Sequence, residues 1–132
     1  MGTRSLTFVY EDDAPVVCMY RQFDGYPSGH GAELAEFLAS GKLVNDLSSD
    51  DTKAFNGMCC LAAQMVAHFK NGPGGIYLMA PTPGEDHGQE YEYHVRFEGG
   101  KLRVEVREVG FRGIGSSTFN GSLNMFTAFC KE

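Results

Sequence analysis

The stretch YEYHVRFEGGKLRVEVREV, residues 91–109, decides the fold that we predict from the sequence. Apolar and polar side chains alternate on both sides of Gly99-Gly100, a dipeptide typical of a two-residue type I′ or II′ hairpin turn. The turn pairs Glu98 with Lys101 and thereby sets the register of both strands. The pairs on the core-facing side are then Phe97 with Leu102, Val95 with Val104 and Tyr93 with Val106.

The outward side of this hairpin is charged. Three of its four pairs are complementary, which supports the register. The fourth sets Arg96 directly opposite Arg103, and like charges at such positions cost stability. Two interpretations stay open: both guanidinium groups splay toward diagonal acids such as Glu98 and Glu105, or both face an anion. The three complementary pairs are Glu98–Lys101, His94–Glu105 and Glu92–Arg107.

The chain before this hairpin predicts further strands and a helix. Residues 5–10 and 16–23 have the patterning of a second hairpin, and the apolar run 76–79 is typical of a central strand. Leucine and phenylalanine side chains share one face over 32–40, which predicts a helix that ends at Gly41.

The strongest helical pattern follows candidate N-caps at 48–51 and repeats apolar residues at three- and four-residue spacing as far as Phe69. It predicts a helix of about twenty residues with Gly57 inside it. Near the C-terminus, Ser122 is placed to cap a short helix, and a strand there is the competing interpretation.

These elements predict the α+β class in one domain, residues 1–132. We expect an antiparallel sheet of about five strands with two helices packed on one face. The expected order is ββααβββ, with a possible short C-terminal helix.

Bulk composition excludes several classes of function. Of the 132 residues, 42% are hydrophobic and 21% are charged, which is typical of a folded globular protein. A net charge of -6 argues against a nucleic-acid partner, because such binders need a basic surface. No apolar run approaches the ~20 residues of a membrane helix, and no signal-peptide h-region is present. We therefore expect a cytoplasmic protein with no membrane partner; a homo-oligomer stays open.

The sequence predicts neither a metal nor a cofactor. No spacing of His, Cys and Asp matches a zinc site, and neither a P-loop nor a G-x-G-x-x-G fingerprint occurs. The four cysteines form no C-x-x-C pair, so we expect reduced, mostly buried thiols. They are Cys18, Cys59, Cys60 and Cys130.

Glycine is in excess, with 17 residues, about 13% of the chain against a usual ~7%. Three of these glycines crowd into YRQFDGYPSGHG, residues 20–31. A strand end, a glycine-rich turn and a helix N-terminus together leave backbone N–H groups unpaired, which is typical of an anion or phosphate site. The competing interpretation is an ordinary turn and helix cap.

We assign ligand-binding roles on this basis. Arg4, Arg21, His30 and the 28–32 backbone would hold phosphate. The candidate ligand-binding residues are Arg4, Tyr20, Arg21, Asp24, Tyr26, Ser28, Gly29, His30, Gly31 and Arg112.

The remaining candidates would recognise the rest of the ligand. Tyr20 or Tyr26 would stack on a planar ring, and Asp24 would accept from a sugar hydroxyl or an amine. Arg112 belongs to a second glycine-rich stretch, 111–117, which is either a strand-to-helix connection or the opposite wall of the same pocket.

The opening MGTRSLT, residues 1–7, followed by YRQFDGYPSGHG, resembles a family of small proteins encoded by phages, prophages and bacteria. The resemblance covers mainly residues 1–40, and the rest of the chain follows the pattern loosely. It implies a phage setting and a bacterial host cytoplasm, and it carries no defined activity. Small phage proteins often oppose host immunity, some by sequestering nucleotide signalling molecules.

Three functions are therefore weighed. The first is a binder that sequesters a nucleotide-derived, phosphate-bearing immune signal without turnover. The second is a hydrolase acting on such a ligand, with His30 and Asp24 as acid and base. The third is an interaction module whose tyrosine-rich turn contacts a host protein, since aromatic residues and arginine are common at binding hot spots.

Overall fold

The computed structural model describes residues 2–44, 54–110 and 115–132. The strands are β1 (Ser5–Glu11), β2 (Ala14–Arg21), β3 (Lys42–Val44), β4 (Ala54–Asn56), β5 (Ile76–Met79), β6 (Tyr91–Glu98), β7 (Lys101–Val109) and β8 (Gly115–Ser122). The helices are α1 (Ala32–Ala39), α2 (Met58–Phe69) and α3 (Leu123–Cys130), and one π-helical turn, Pro27–Gly31, leads into α1.

A six-stranded sheet in the order β5-β2-β1-β6-β7-β8 carries the fold. Residues of all three α-helices and of one sheet face share a single buried cluster, so the helices cover that face. The α+β class and the sheet covered by helices are confirmed. Within the described ranges, no helix is long and apolar enough to cross a membrane.

The β6–β7 hairpin has the predicted register at every pair from Glu98 opposite Lys101 outward. Gly99 and Gly100 have φ angles of 60° and 77°, and two positive values identify the turn as type I′. Phe97 lies next to the turn, at the tip of the hairpin, and is 44% exposed, so its position on the core-facing side does not bury it.

The prediction of a purely antiparallel sheet is wrong at one strand pair, β1 and β6. β1 and β6 are parallel, with Ser5 opposite Tyr91 and Val9 opposite Val95. Parallel neighbours need a long crossover connection, and here α1 and α2 lie in the chain between the two strands. The sheet is therefore mixed.

The run 76–79 is an edge strand rather than the predicted central one. Among the described residues, β5 pairs only with β2, and two of its side chains, Tyr77 and Leu78, are exposed by 46% and 61%. An apolar run shows that a segment is a strand, but its position in the sheet depends on partners distant in sequence.

The predicted twenty-residue helix is wrong at its N-terminal end. Residues 54–56 form β4, which pairs in parallel with β3, and α2 begins only at Met58. Gly57 has a φ of 86°, which a helix cannot continue through, so this glycine separates strand from helix. The predicted caps at 48–51 lie outside the described residues.

The C-terminal segment contains both a strand and a helix, the two structures that the sequence left open. Residues 115–122 add β8 to the edge of the sheet, and α3 follows directly. The Ser122 hydroxyl accepts from the Met125 amide at 3.4 Å, so the predicted cap is confirmed, and α3 is the short C-terminal helix that the sequence allowed.

Alternation along β1 separates the two faces of the sheet. Thr7 and Val9 point toward the helices, whereas Leu6, Phe8 and Tyr10 point to the opposite face, and all five are buried. The second face has its own apolar cluster, and it carries the charged row of the β6–β7 hairpin.

Candidate ligand site at Arg21

Arg21, the last residue of β2, points toward the helix layer, where four groups position its guanidinium. Nε donates to the Phe23 carbonyl at 2.7 Å, and Nη1 lies 3.1 Å from His30 Nδ1 and 2.5 Å from Glu33 Oε2. The Phe69 ring lies beneath, 5.9 Å from the guanidinium carbon to the ring centroid. The head group is therefore held in place before any ligand arrives.

His30 is completely buried, and its partners determine its tautomer. A guanidinium only donates, so Nδ1 accepts from Arg21, and Nε2–H donates to Thr7 Oγ1 at 2.8 Å. Burial, and then the Arg21 charge, lower the pKa of His30 to about 3. The imidazole is neutral, both of its nitrogens are occupied, and it acts as a rigid support for Arg21.

A cleft of about 450 Å³ opens in front of Arg21. This volume lies within the roughly 300–1,000 Å³ typical of small-ligand pockets. The cleft lies between α1, the C-terminal end of α2 and the turn that precedes β5. The residues lining it are Arg21, Phe23, Glu33, Glu36, His68, Phe69, Asn71, Gly74, Gly75 and Ile76.

The charges of the cleft decide which ligands it can take. Arg21 is the one guanidinium among the lining residues, and it faces the carboxylates of Glu33 and Glu36. Glu33 already pairs with Arg21, and no described residue accepts from Arg21 Nη2. A free phosphate therefore meets an excess of negative charge, whereas a ligand with both donors and an acidic group is matched.

The clustered glycines of the turn serve close packing. A Cβ atom on Gly25 would lie 2.8 Å from Ser5 Cβ, and one on Gly31 would lie 2.9 Å from Cys130 Sγ. Real Cβ atoms do not approach other atoms this closely. The turn is thus pressed against β1 and α3, which accounts for these glycines without a ligand.

The backbone amides of the turn have partners inside the protein. The amides of Gly29 and Gly31 donate to the Tyr26 carbonyl at 2.9 and 3.4 Å, and the amide of His30 donates to the Asp24 carbonyl at 2.7 Å. These three groups are not open donors, so the geometry does not favour the phosphate cradle that we expected from the sequence. Arg21 is therefore the group that would bind the acidic group of a ligand.

Two of the predicted residues do not line the cleft. Tyr20 pairs with Leu6 and packs edge-on against Tyr77, with 6.0 Å between ring centroids. The Arg4 guanidinium packs against Gly88. Because successive strand residues point to opposite faces, Tyr20 cannot stack in the cleft into which its neighbour points.

The rest of the predicted set lies at the exposed turn or outside the described residues. Asp24 adopts a positive φ of 60°, and its carboxylate accepts from the Tyr26 hydroxyl at 3.4 Å. Ser28 is exposed on the same turn. Arg112 lies outside the described residues. Of the ten candidates, the structure brings Arg21 and His30 into direct side-chain contact beside the cleft.

Sequence reasoning missed most of the cleft. Glu33 and Glu36 are three residues apart, a spacing that places them on one exposed face of α1, so helical periodicity gave a signal for them. His68 and Phe69 end α2, and nothing local to that helix indicates that they face the end of β2. Among the described residues, no three His, Cys, Asp or Glu side chains come together to hold a metal ion.

Comparisons with known proteins found no matching family model, no matching curated protein and no matching solved structure. Functional inference for this chain therefore rests on the geometry of its clefts, because fold class alone does not define an activity.

Proposed function

We propose that the chain is a small-ligand-binding protein whose cleft at Arg21 holds a nucleotide-derived molecule without turning it over. The main supporting observation is the fixed guanidinium of Arg21, which lines a cleft that is also lined by Glu33 and Glu36. An acidic group of the ligand binds Arg21, and donor groups of its base or sugar bind the carboxylates.

Aromatic side chains support a planar ligand. Phe23 is 52% exposed at the mouth of the cleft, and Phe69 lines its floor. A purine or pyrimidine presents a flat π-face to such side chains together with N–H donors at its edge. In a phage setting, sequestration of a signalling nucleotide requires this binding and no chemistry.

His30 supplies no acid–base chemistry in this proposal. Its two ring nitrogens form hydrogen bonds with Arg21 and Thr7, and the ring has no exposed surface. A general acid or base must reach the proton that it transfers, and His30 is separated from the cleft by the guanidinium that it supports.

Isothermal titration against guanosine, guanosine monophosphate, cyclic nucleotides, ADP-ribose derivatives and inorganic phosphate tests the proposal. At least one nucleotide binds, whereas inorganic phosphate does not bind in this cleft. Glu36→Gln weakens nucleotide binding about tenfold, because a hydrogen bond to a charged group contributes roughly 1.5–3 kcal/mol. Glu108→Gln, which removes an exposed carboxylate outside the cleft, is the matched control and changes nothing.

Recovery of the ligand separates binding from catalysis. The complex is denatured after prolonged incubation, and the released molecule is analysed by mass spectrometry. Intact ligand supports sequestration, and an altered ligand would favour the hydrolase. Equal nucleotide affinity in wild type and Glu36→Gln contradicts the proposed site.

A second candidate function, binding of a host protein, is favoured by the edge strand β5. Within the part of the chain that the structure describes, one side of this strand has no partner strand, and Leu78 is its most exposed apolar side chain. Such an edge can accept an additional strand. In this case Leu78→Lys abolishes capture of a partner protein and leaves nucleotide affinity unchanged. Glu36→Gln weakens nucleotide binding and leaves capture of the partner protein unchanged.

A further inference from the structure

A second polar cleft lies on the sheet face opposite the helices. Arg96 on β6 and Arg103 on β7 are directly opposed, so their Cβ atoms are only about 5 Å apart by the usual geometry of such pairs. The cleft has a volume of about 580 Å³. Its other polar side chains are those of His94, Glu98, Glu105 and Asn120.

Arg96 is held by a chain of buried groups. Its guanidinium carbon lies 3.8 Å from the centroid of the Tyr10 ring. The Tyr10 hydroxyl lies 2.7 Å from His94 Nδ1, His94 Nε2 lies 3.1 Å from Glu92 Oε1, and Gln89 donates to the other Glu92 oxygen at 2.9 Å. Tyr10, His94 and Gln89 are each at most 5% exposed.

The direction of these hydrogen bonds is determined by Glu92. Hydrogen bonding from His94 holds the pKa of Glu92 below its usual value, although burial opposes this. The carboxylate accepts, so His94 Nε2–H donates to it, and in the neutral imidazole Nδ1 accepts from the Tyr10 hydroxyl. The ring of Tyr10 is thereby fixed, and with it the guanidinium stacked on that ring.

Arg103 is also held by a neutral group. Its Nη2 donates to Asn120 Oδ1 at 3.3 Å. Of the two acids in the cleft, Glu105 lies 3.4 Å from Arg107, and Glu98 is exposed at the rim. Among the described residues, neither Arg96 nor Arg103 has a carboxylate within salt-bridge distance.

We propose that this second cleft binds a tetrahedral oxyanion, the phosphate of a phosphomonoester or free phosphate, between Arg96 and Arg103. Arg96 and Arg103 both line this cleft. Their anchors, the Tyr10 ring on β1 and the Asn120 amide on β8, carry no charge, so neither anchor forms an ion pair with its guanidinium. Guanidinium forks match the geometry of phosphate oxygens and bind them with short, charge-assisted hydrogen bonds. The fixed positions of the two groups lower the entropic cost of binding.

Titration of the whole chain with inorganic phosphate and with phenyl phosphate, at constant ionic strength, tests this site. We expect millimolar or tighter binding of at least one probe, and a loss of about tenfold or more in Arg103→Gln and in Arg96→Gln. Lys131→Gln, which removes a positive charge elsewhere, changes the affinity less than about twofold. A preference for phenyl phosphate identifies a monoester as the ligand, and a preference for the inorganic ion identifies free phosphate.

Thermal unfolding supplies a second measurement that does not depend on detecting weak binding. Without phosphate, Arg103→Gln is as stable as the wild type or more stable, because it removes a like charge opposite Arg96. With phosphate, the wild type gains stability and the variant does not. Arg96→Gln removes the partner of the Tyr10 ring. If that variant fails to fold, the comparison of wild type with Arg103→Gln is sufficient to test the site.

Undetectable binding of both probes at about 10 mM, or equal binding by wild type and Arg103→Gln, overturns the proposal. The result is independent of the cleft at Arg21, since that cleft lies on the other face of the sheet. Glu36→Gln leaves phosphate binding intact, and Arg103→Gln leaves nucleotide binding at Arg21 intact.

Discussion

His30 Nδ1 lies 3.1 Å from Arg21 Nη1, in a ring that has no exposed surface. The residue that carries the positive charge of the cleft is thus supported by a histidine that must stay neutral. This relationship joins the stability of the fold to the shape of the ligand site, because protonation of the ring would set two positive charges against each other.

The first prediction concerns acid stability. The pKa of His30 is lowered to about 3 in the folded protein, against roughly 6.5 in an unfolded chain. The unfolded state therefore binds the extra proton first, and the stability contributed by neutral His30 is lost as the pH falls from about 6.5 toward 3, by up to roughly 1.4 kcal/mol per pH unit.

Denaturant unfolding at several pH values between 7 and 4 measures this slope. His30→Gln lowers stability at pH 7 and has a shallower pH dependence than the wild type. An unchanged slope in His30→Gln would show that the ring does not titrate as the structure requires.

The second prediction concerns the turn glycines. Gly31 has a φ of -57°, which any residue adopts, so Gly31→Ala tests packing alone. The new Cβ would meet Cys130 Sγ at 2.9 Å, and we expect a loss of about 2 kcal/mol in the free energy of unfolding. Gly115→Ala, where the nearest atom is 3.5 Å away, loses less than about 0.5 kcal/mol. Equal effects of the two changes would remove the packing explanation.

The third prediction compares two hydroxyl groups on β1. Ser5 Oγ is buried and has no hydrogen-bond partner among the described residues, whereas Thr7 Oγ1 accepts from His30 at 2.8 Å. Ser5→Ala leaves stability unchanged or raises it by about 1 kcal/mol, and Thr7→Val lowers it by about 1–3 kcal/mol. Both free energies come from urea titrations. A larger loss in Ser5→Ala than in Thr7→Val would contradict this assignment.

The fourth prediction concerns the cysteines. Burial raises the pKa of Cys18 to about 12 and that of Cys130 to about 11, and both thiols are buried. At pH 8 a thiol reagent modifies Cys59 and Cys60 in the folded protein, and the other two react only on unfolding. Four equally reactive thiols in the native protein would count against the packing of both clusters.

The exposed thiol of Cys59 also has a hydrogen-bond partner that slows its reaction with a thiol reagent. Cys59 donates to Glu11 Oε2 at 2.7 Å, and this hydrogen bond raises the pKa of the thiol. Glu11→Ala therefore increases the labelling rate of Cys59 at pH 8, while the rate of Cys60 stays the same. Peptide mapping after brief labelling distinguishes the two neighbouring residues.

Local patterns predicted the elements of this fold better than their arrangement. The type I′ turn and the hairpin register followed from two glycines between alternating runs, and the Ser122 cap followed from one residue. The parallel seam between β1 and β6 has no such signal, because it joins segments more than eighty residues apart, and a period of two is the same in parallel and antiparallel strands.

The candidate site was predicted only in part for a related reason. The alternation along β2 already implies that Tyr20 and Arg21 face opposite sides, but the sequence does not indicate which side the helices cover. The stretch 20–31 directed attention to Arg21 and His30, while the remaining walls of the cleft came from α1, α2 and the turn before β5.

The sequence by itself determined the hairpin, its Arg96–Arg103 pair and the position of the glycine-rich turn, since each depends on backbone preferences and side-chain alternation within a few residues. Only the tertiary structure showed that the turn glycines are required for close packing and which charged side chains form pairs. Gly31 is needed because α3 brings Cys130 against the turn, and Arg21 is paired because α1 brings Glu33 to it. Such contacts depend on how distant segments pack, and no local pattern contains that information.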